Sequence, residues 1–226
     1  MTVHRERERY RRQAAVGGRA RRGPRAVLLA RARRLAAFTV AWNLVEGVVA
    51  IAAAAAAGSR ALVGFGVDSG VESVSAAVLL WRLGVEGRDP GRAEQVERVA
   101  LRAIGTSFLL LAAVVGVEAV RSLALRHEPD ASPVGIALTA LSLVVMPVLA
   151  LRKRRVADAL ASRAAAADST QTMACAWLSA VVLGGLALNA ALGWWWADPV
   201  AALGVVVLLV REGREALTAD HAGDCC

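Results

Sequence analysis

Apolar residues collect into six stretches along the chain, separated by short polar joints: Leu35–Ala57, Ala61–Trp81, Val99–Leu123, Pro133–Leu151, Gln171–Leu192 and Pro199–Val210. A helix needs roughly 17–25 apolar residues to cross a hydrocarbon core. The first five stretches reach that length. The sixth does so only with Trp194–Ala197 at one interface and Arg211–Glu215 at the other. Trp194, Trp195 and Trp196 suit a headgroup-level belt, where an indole keeps one face apolar and its N–H wet. The pattern predicts an all-α membrane protein, a bundle of six transmembrane helices over residues 35–215. A hydrophilic tail precedes it at 1–34 and a short tail follows at 216–226.

The polar joints carry an orientation signal. Residues 1–34 hold twelve Arg against two Glu. The joint from Arg82 to Arg98 contains Arg82, Arg88, Arg92 and Arg98, and the joint from Arg152 to Asp168 opens with Arg152, Lys153, Arg154 and Arg155. Between these lie the tight turn Gly58–Arg60, the short mixed joint Arg121–Ser132 and the joint Asn189–Asp198, which has no basic residue. Rich and poor joints alternate. Loops rich in Lys and Arg stay cytoplasmic, so both termini are expected on the cytoplasmic side. Gly17, Gly18, Gly23 and Pro24 make the leading tail read as largely disordered or as a short surface helix.

Composition agrees with this division. Hydrophobic residues make up 57% of the 226 and charged residues 20%, yet the formal net charge is +8. The tail supplies a surplus of ten positive charges, so the rest of the chain is slightly acidic. With Tyr10 as its one aromatic, the tail offers little for base stacking. Anionic lipid headgroups, which the tail meets as it enters the first span, are the expected partner, and nucleic acid is not. No cleaved signal is expected, because the first apolar run is longer than the apolar core of a secretory signal. The three cysteines (Cys175, Cys225, Cys226) make no disulfide framework.

A carboxylate inside a span costs at least about 2.5–3.5 kcal/mol on insertion scales and calls for a function. Asp68 and Glu72 sit in the second stretch, in GFGVDSGVES. Four residues apart, they share a helix face at about 6 Å along the axis. Two such carboxylates repel when ionised, so the pair calls for a shared proton or a bound cation. Ser69, Gly70 and Ser73 are small enough to let a helix or an ion approach. Gln171 and Cys175 share a face in the fifth stretch, with Asp168 one turn earlier. Carboxylate, amide and thiol are all divalent-cation ligands, although Asp168 fits a helix N-cap equally well and a lone Cys often packs as a small hydrophobe. Asn43 and Glu46 in the first stretch fit either an inner relay or a packing contact. Cys225 and Cys226, after His221 and Asp224, form a second place where a metal could be captured. No HExxH motif, phosphate loop or nucleophile–base set is present, so an enzyme is not expected.

These features together resemble the transmembrane domain of the cation diffusion facilitators. That family carries an acidic pair four apart in span two and a matching pair, usually His and Asp, in span five. The resemblance covers roughly residues 36–215 and includes Ala197-Asp198-Pro199-Val200-Ala201-Ala202 at the start of span six. It implies a metal site at Asp68, Glu72, Gln171 and Cys175, where Gln and Cys stand in place of the family's His and Asp. Asp168, Glu46 and Asn43 become possible accessory or proton-relay groups. The implied function is divalent cation efflux by proton antiport, with zinc, cobalt or a similar ion as cargo and no prosthetic group. A non-transporting sensor or scaffold of the same fold is the alternative. A homodimer in a bacterial inner membrane is further implied. Only about 15 residues follow span six, too few for the folded cytoplasmic domain that family members often carry.

Overall fold

The computed structural model describes residues 2–57, 60–126 and 133–218, with most side chains from Pro24 onward. Its six α-helices are α1 (Thr2–Ala57), α2 (Arg60–Arg88), α3 (Ala93–Leu125), α4 (Pro133–Leu160), α5 (Arg163–Leu192) and α6 (Ala197–Thr218), with a 3-10 turn at Pro90–Arg92. No strand occurs among the described residues. α1 takes in residues 2–34, read from composition as a largely disordered tail or short surface helix; Arg and Ala are strong helix formers and continue the helix from the first span.

Local chemistry sets most of the ends. α3 stops at Arg126, whose left-handed backbone (φ 49°) turns its N–H back to the Ser122 carbonyl. α4 opens on Pro133, whose missing N–H is one the first turn leaves unpaired anyway. Ser162 caps α5 by accepting from the Ala165 N–H. That helix ends on Gly193 at φ 70°, a conformation that glycine adopts without strain.

Five helices are long and apolar enough to cross a membrane: α1 from Pro24 to Ala53, α2 from Val63, and α3, α4 and α5. α6 is the exception among the six expected spans, because its apolar run is flanked by Asp198 on one side and by Arg211, Glu212, Arg214 and Glu215 on the other. The surface is inverted relative to a water-soluble bundle. Val45, Val48, Val144 and Val207 are each more than 60% exposed, whereas Thr39, Asn43, Glu46, Asp68, Glu72, Ser142, Asp168, Gln171 and Thr172 are buried. In hydrocarbon the outside must be apolar and polar groups must find partners within the bundle. This is an integral membrane protein.

The main pairings are α1 with α2, α3 with α6 and α4 with α5, and α2 and α5 meet across the middle. α3 and α6 touch backbone to backbone at Gly105 and Gly213. A β-carbon on Gly213 would lie 3.0 Å from the β-carbon of Phe108 and 3.1 Å from the Gly105 carbonyl oxygen. Small residues allow that approach, and in a bilayer close packing is a principal source of helix association. Trp194 and Trp196 stack at 5.4 Å on the exposed turn between α5 and α6, as an interfacial belt requires.

Candidate cation site

Asp68 and Glu72 project from α2 into the interior, 5% and 1% exposed. The neighbouring hydroxyls do not compete for them: Ser69 donates to the Phe65 carbonyl and Ser73 to the Ser69 carbonyl, each within its own helix. α5 lies opposite and antiparallel, so its later residues meet the earlier ones of α2. The Cys175 thiol lies against the Asp68 carboxylate. One turn back, the Thr172 hydroxyl donates to Glu72 Oε1 at 2.6 Å.

α1 and α4 close the other side. Glu46 is buried and accepts a hydrogen bond from Ser142 of α4. Its charge acts on both Asp68 and Glu72, so three carboxylates and one thiol share one electrostatic neighbourhood. Asn43, one turn before Glu46, faces Glu72 without completing a hydrogen bond to it. Glu46 Oε2, Glu72 Oε2 and both polar atoms of the Asn43 amide are buried without a partner. Buried polar atoms are nearly always satisfied, and unsatisfied carboxylate oxygens in a group mark a place for a cation or a water.

Asp168 is fully buried, and Lys153 of α4 holds it through an ion pair of 2.8 Å. The N-cap role weighed for Asp168 falls to Ser162 instead, because α5 begins at Arg163, about two turns before the apolar run does. Lys153 also donates to the Thr172 hydroxyl at 2.8 Å. A continuous polar chain therefore runs Asp168–Lys153–Thr172–Glu72.

Gln171 points elsewhere. The next residue around the helix from Thr172, it accepts from Ser107 of α3 at 3.2 Å and leaves its own Nε2 without a partner. The four residues implied as ligands thus divide: Asp68, Glu72 and Cys175 face one another, and Gln171 faces α3. Thr172, beside the ligand position that the resemblance implied for Gln171, is the residue that meets Glu72. As placed, no three His, Cys, Asp or Glu side chains among the described residues stand close enough to enclose a metal ion. Ser142, Thr172 and Lys153 each hold one carboxylate toward its own side. Cys225, Cys226 and His221 lie outside the described residues.

Lys153, Thr172 and Ser142 escaped the sequence reading. Lys153 was hidden in the basic run 152–155, where Arg152, Arg154 and Arg155 are exposed and Lys153 is buried. A signal was available: carrying the helical period through the run places Lys153 on the stripe of Met146, Leu149, Ala150, Ala157 and Leu160.

Residues 36–219 match the model of the cation efflux transmembrane domain. Over 191 residues the chain is 29% identical to an uncharacterized transporter of Synechocystis sp.. The match covers 82% of this chain and 62% of that relative's length.

Proposed function

The chain belongs to the cation efflux family, and from that premise we propose that it carries a divalent metal cation across a membrane. One observation carries the reading: four carboxylates (Glu46, Asp68, Glu72, Asp168) are buried in the bundle with a single ammonium, Lys153, which pairs with Asp168, and Glu46, Glu72 and Asp168 each keep an oxygen without a hydrogen-bond partner. Carboxylates inside an apolar bundle are costly and mark ion or proton pathways, and within this family a cation that enters and leaves accounts for them. Asp68, Glu72 and Cys175 are the proposed ligands, with Glu46 or Gln171 completing the set after side-chain rotation. A carboxylate–thiolate set suits zinc and cobalt. Carboxylate and thiol bind metal in their deprotonated forms, so loading releases protons. Protons arriving from the far side would in turn displace the metal, which is antiport.

The same reading includes six spans, with α6 reaching spanning length through its interfacial ends, and both termini in the cytoplasm of a bacterial inner membrane. The arginine-rich ends support it. Contacts among Arg25, Arg82, Glu86, Glu97 and Ser162 gather the start of the α1 span and the ends of α2, α3 and α5 on one face. That face would meet anionic headgroups. A homodimer is part of the proposal through the family alone.

The test is metal flux in proteoliposomes under an imposed pH gradient, using zinc, cobalt, manganese and cadmium in turn. Wild type is expected to move zinc or cobalt, and Asp68→Ala to abolish the movement. Absence of flux for every ion overturns the transport reading. The second reading, a membrane metal sensor of the same fold, draws support from the unenclosed geometry of the ligand groups. Metal binding without flux would establish it.

A further inference from the structure

Lys153 is the sole lysine of the chain; every other member of its 27 Lys and Arg residues is arginine. It is also buried, with its side chain 4% exposed and its partner Asp168 at 0%. Arginine is a rigid planar fork that holds bidentate partners, whereas lysine is a compact point charge on a flexible stem. The one place where the chain uses the movable cation is beside the candidate site.

Its surroundings are those of a bound cation. The ammonium contacts Asp168 Oδ2 at 2.8 Å and the Thr172 hydroxyl oxygen at 2.8 Å, and its charge acts on Glu72. Thr172 in turn donates its hydroxyl to Glu72 Oε1, so the ammonium reaches Glu72 through one hydroxyl. A pocket between α1, α2, α4 and α5, lined in part by Ala32, Leu35, Ala36 and Ala165, adjoins the pair, and its walls include Lys153 and Asp168 themselves. The pocket has room for no more than about one water, but it leaves the pair next to a gap rather than sealed in packed side chains. Arg152, Arg154 and Arg155 are exposed on the same turn of α4, so the pair lies toward the basic end of the bundle and the Asp68–Cys175 contact lies deeper.

We propose that Lys153 is a tethered cation, which occupies the outlying position between Asp168 and Glu72 and is displaced from it when the transported cation arrives. The proposal rests on the cation-transport reading. The ammonium offsets the carboxylates while the site is empty of cargo, and competition from it weakens cargo binding enough to permit release. Without it, the same carboxylates hold a divalent ion too tightly to turn over.

Two measurements on the full chain in nanodiscs test this, with cobalt chloride as the probe. The first uses wild type alone. Because Lys153 is the sole lysine, acylation with a small amine reagent, followed by mass spectrometry of the peptides, reports its exposure directly, with the N-terminal amine as reference. Saturating cobalt is expected to speed labelling of Lys153 at least tenfold relative to that reference. Labelling that is unchanged or slower while cobalt is bound overturns the proposal. The second is calorimetric: Lys153→Gln, which keeps a hydrogen-bond donor and removes the charge, is expected to bind cobalt at least tenfold more tightly and to carry it more slowly. Equal or weaker binding overturns the proposal. If Lys153→Gln does not fold, the labelling experiment decides alone. If wild type binds neither cobalt nor any other ion of the panel, the transport reading falls and takes this inference with it. Cobalt binding with unmoved lysine labelling removes the inference and leaves that reading standing.

Discussion

Two groups of buried charges lie on the same helices, roughly 15 Å apart along α2 at the helical rise per residue. At the basic end, Arg25 pairs with Glu86 at 2.5 Å, Arg82 with Glu86 at 2.7 Å and Arg82 with Glu97 at 2.5 Å. Glu97 also accepts from the Ser162 hydroxyl and the Ala164 N–H, which fixes the first turn of α5. Two arginines meet two glutamates, and each charge has an opposite charge in contact. In the other group, Glu46, Asp68, Glu72 and Asp168 are accompanied by one lysine, which pairs with Asp168, and the partners of the rest are hydroxyls and a thiol. Both groups are buried and both join several helices. Balance is what separates them. A balanced network locks helices together, whereas an acidic excess met mostly by neutral partners leaves a position for a cation from outside.

That contrast is sharpest in substitutions that remove one charge from each group. Glu72→Gln keeps the shape and the bond to Thr172 but lowers the acidic excess, and is expected to reduce metal flux by roughly 100-fold or more. Its unfolding midpoint in detergent should be equal to or above that of wild type, because a buried charge has been removed. Arg82→Met should do the opposite. It leaves Glu97 without its cation and Glu86 with only the half-exposed Arg25, which costs about 3–5 kcal/mol of stability. Flux per folded molecule should stay near wild type. If Arg82→Met kept full stability and lost flux, the two groups would not be distinct. The smallest effect expected is Gly213→Leu, which overpacks the α3–α6 contact at about 1–3 kcal/mol. It should lower the unfolding midpoint and leave cobalt affinity unchanged, since α6 supplies none of the proposed ligands.

Much of the membrane architecture was legible because lipid imposes rules on composition. Long apolar runs, a tryptophan turn and alternating basic joints are one-dimensional patterns, and five of the expected spans correspond to helices that meet the requirements for crossing. The sixth is ambiguous in the structure for the reason visible in the sequence: its apolar run is short and charged at both ends. The α2 pair was legible too, since Asp68 and Glu72 must share a face at a spacing of four. The α5 side was harder. Asp168, Gln171, Thr172 and Cys175 crowd two turns of one helix, and a rotation of one residue decides whether Gln171 or Thr172 meets Glu72. Spacing within a helix cannot fix that angle, because it depends on which neighbour the helix presses against.

The sequence by itself determined that this chain inserts in a membrane, which of its joints are basic, and that a few acidic groups lie inside the spans, because transfer of side chains into hydrocarbon is decided residue by residue. Only the tertiary structure decided which of those groups meet. It turned Gln171 toward Ser107, set Cys175 against Asp68, and drew Lys153 out of a solvent-facing basic run to Asp168. Those outcomes depend on the rotation and depth of one helix against another, which packing among α1, α2, α4 and α5 sets collectively and no local stretch encodes.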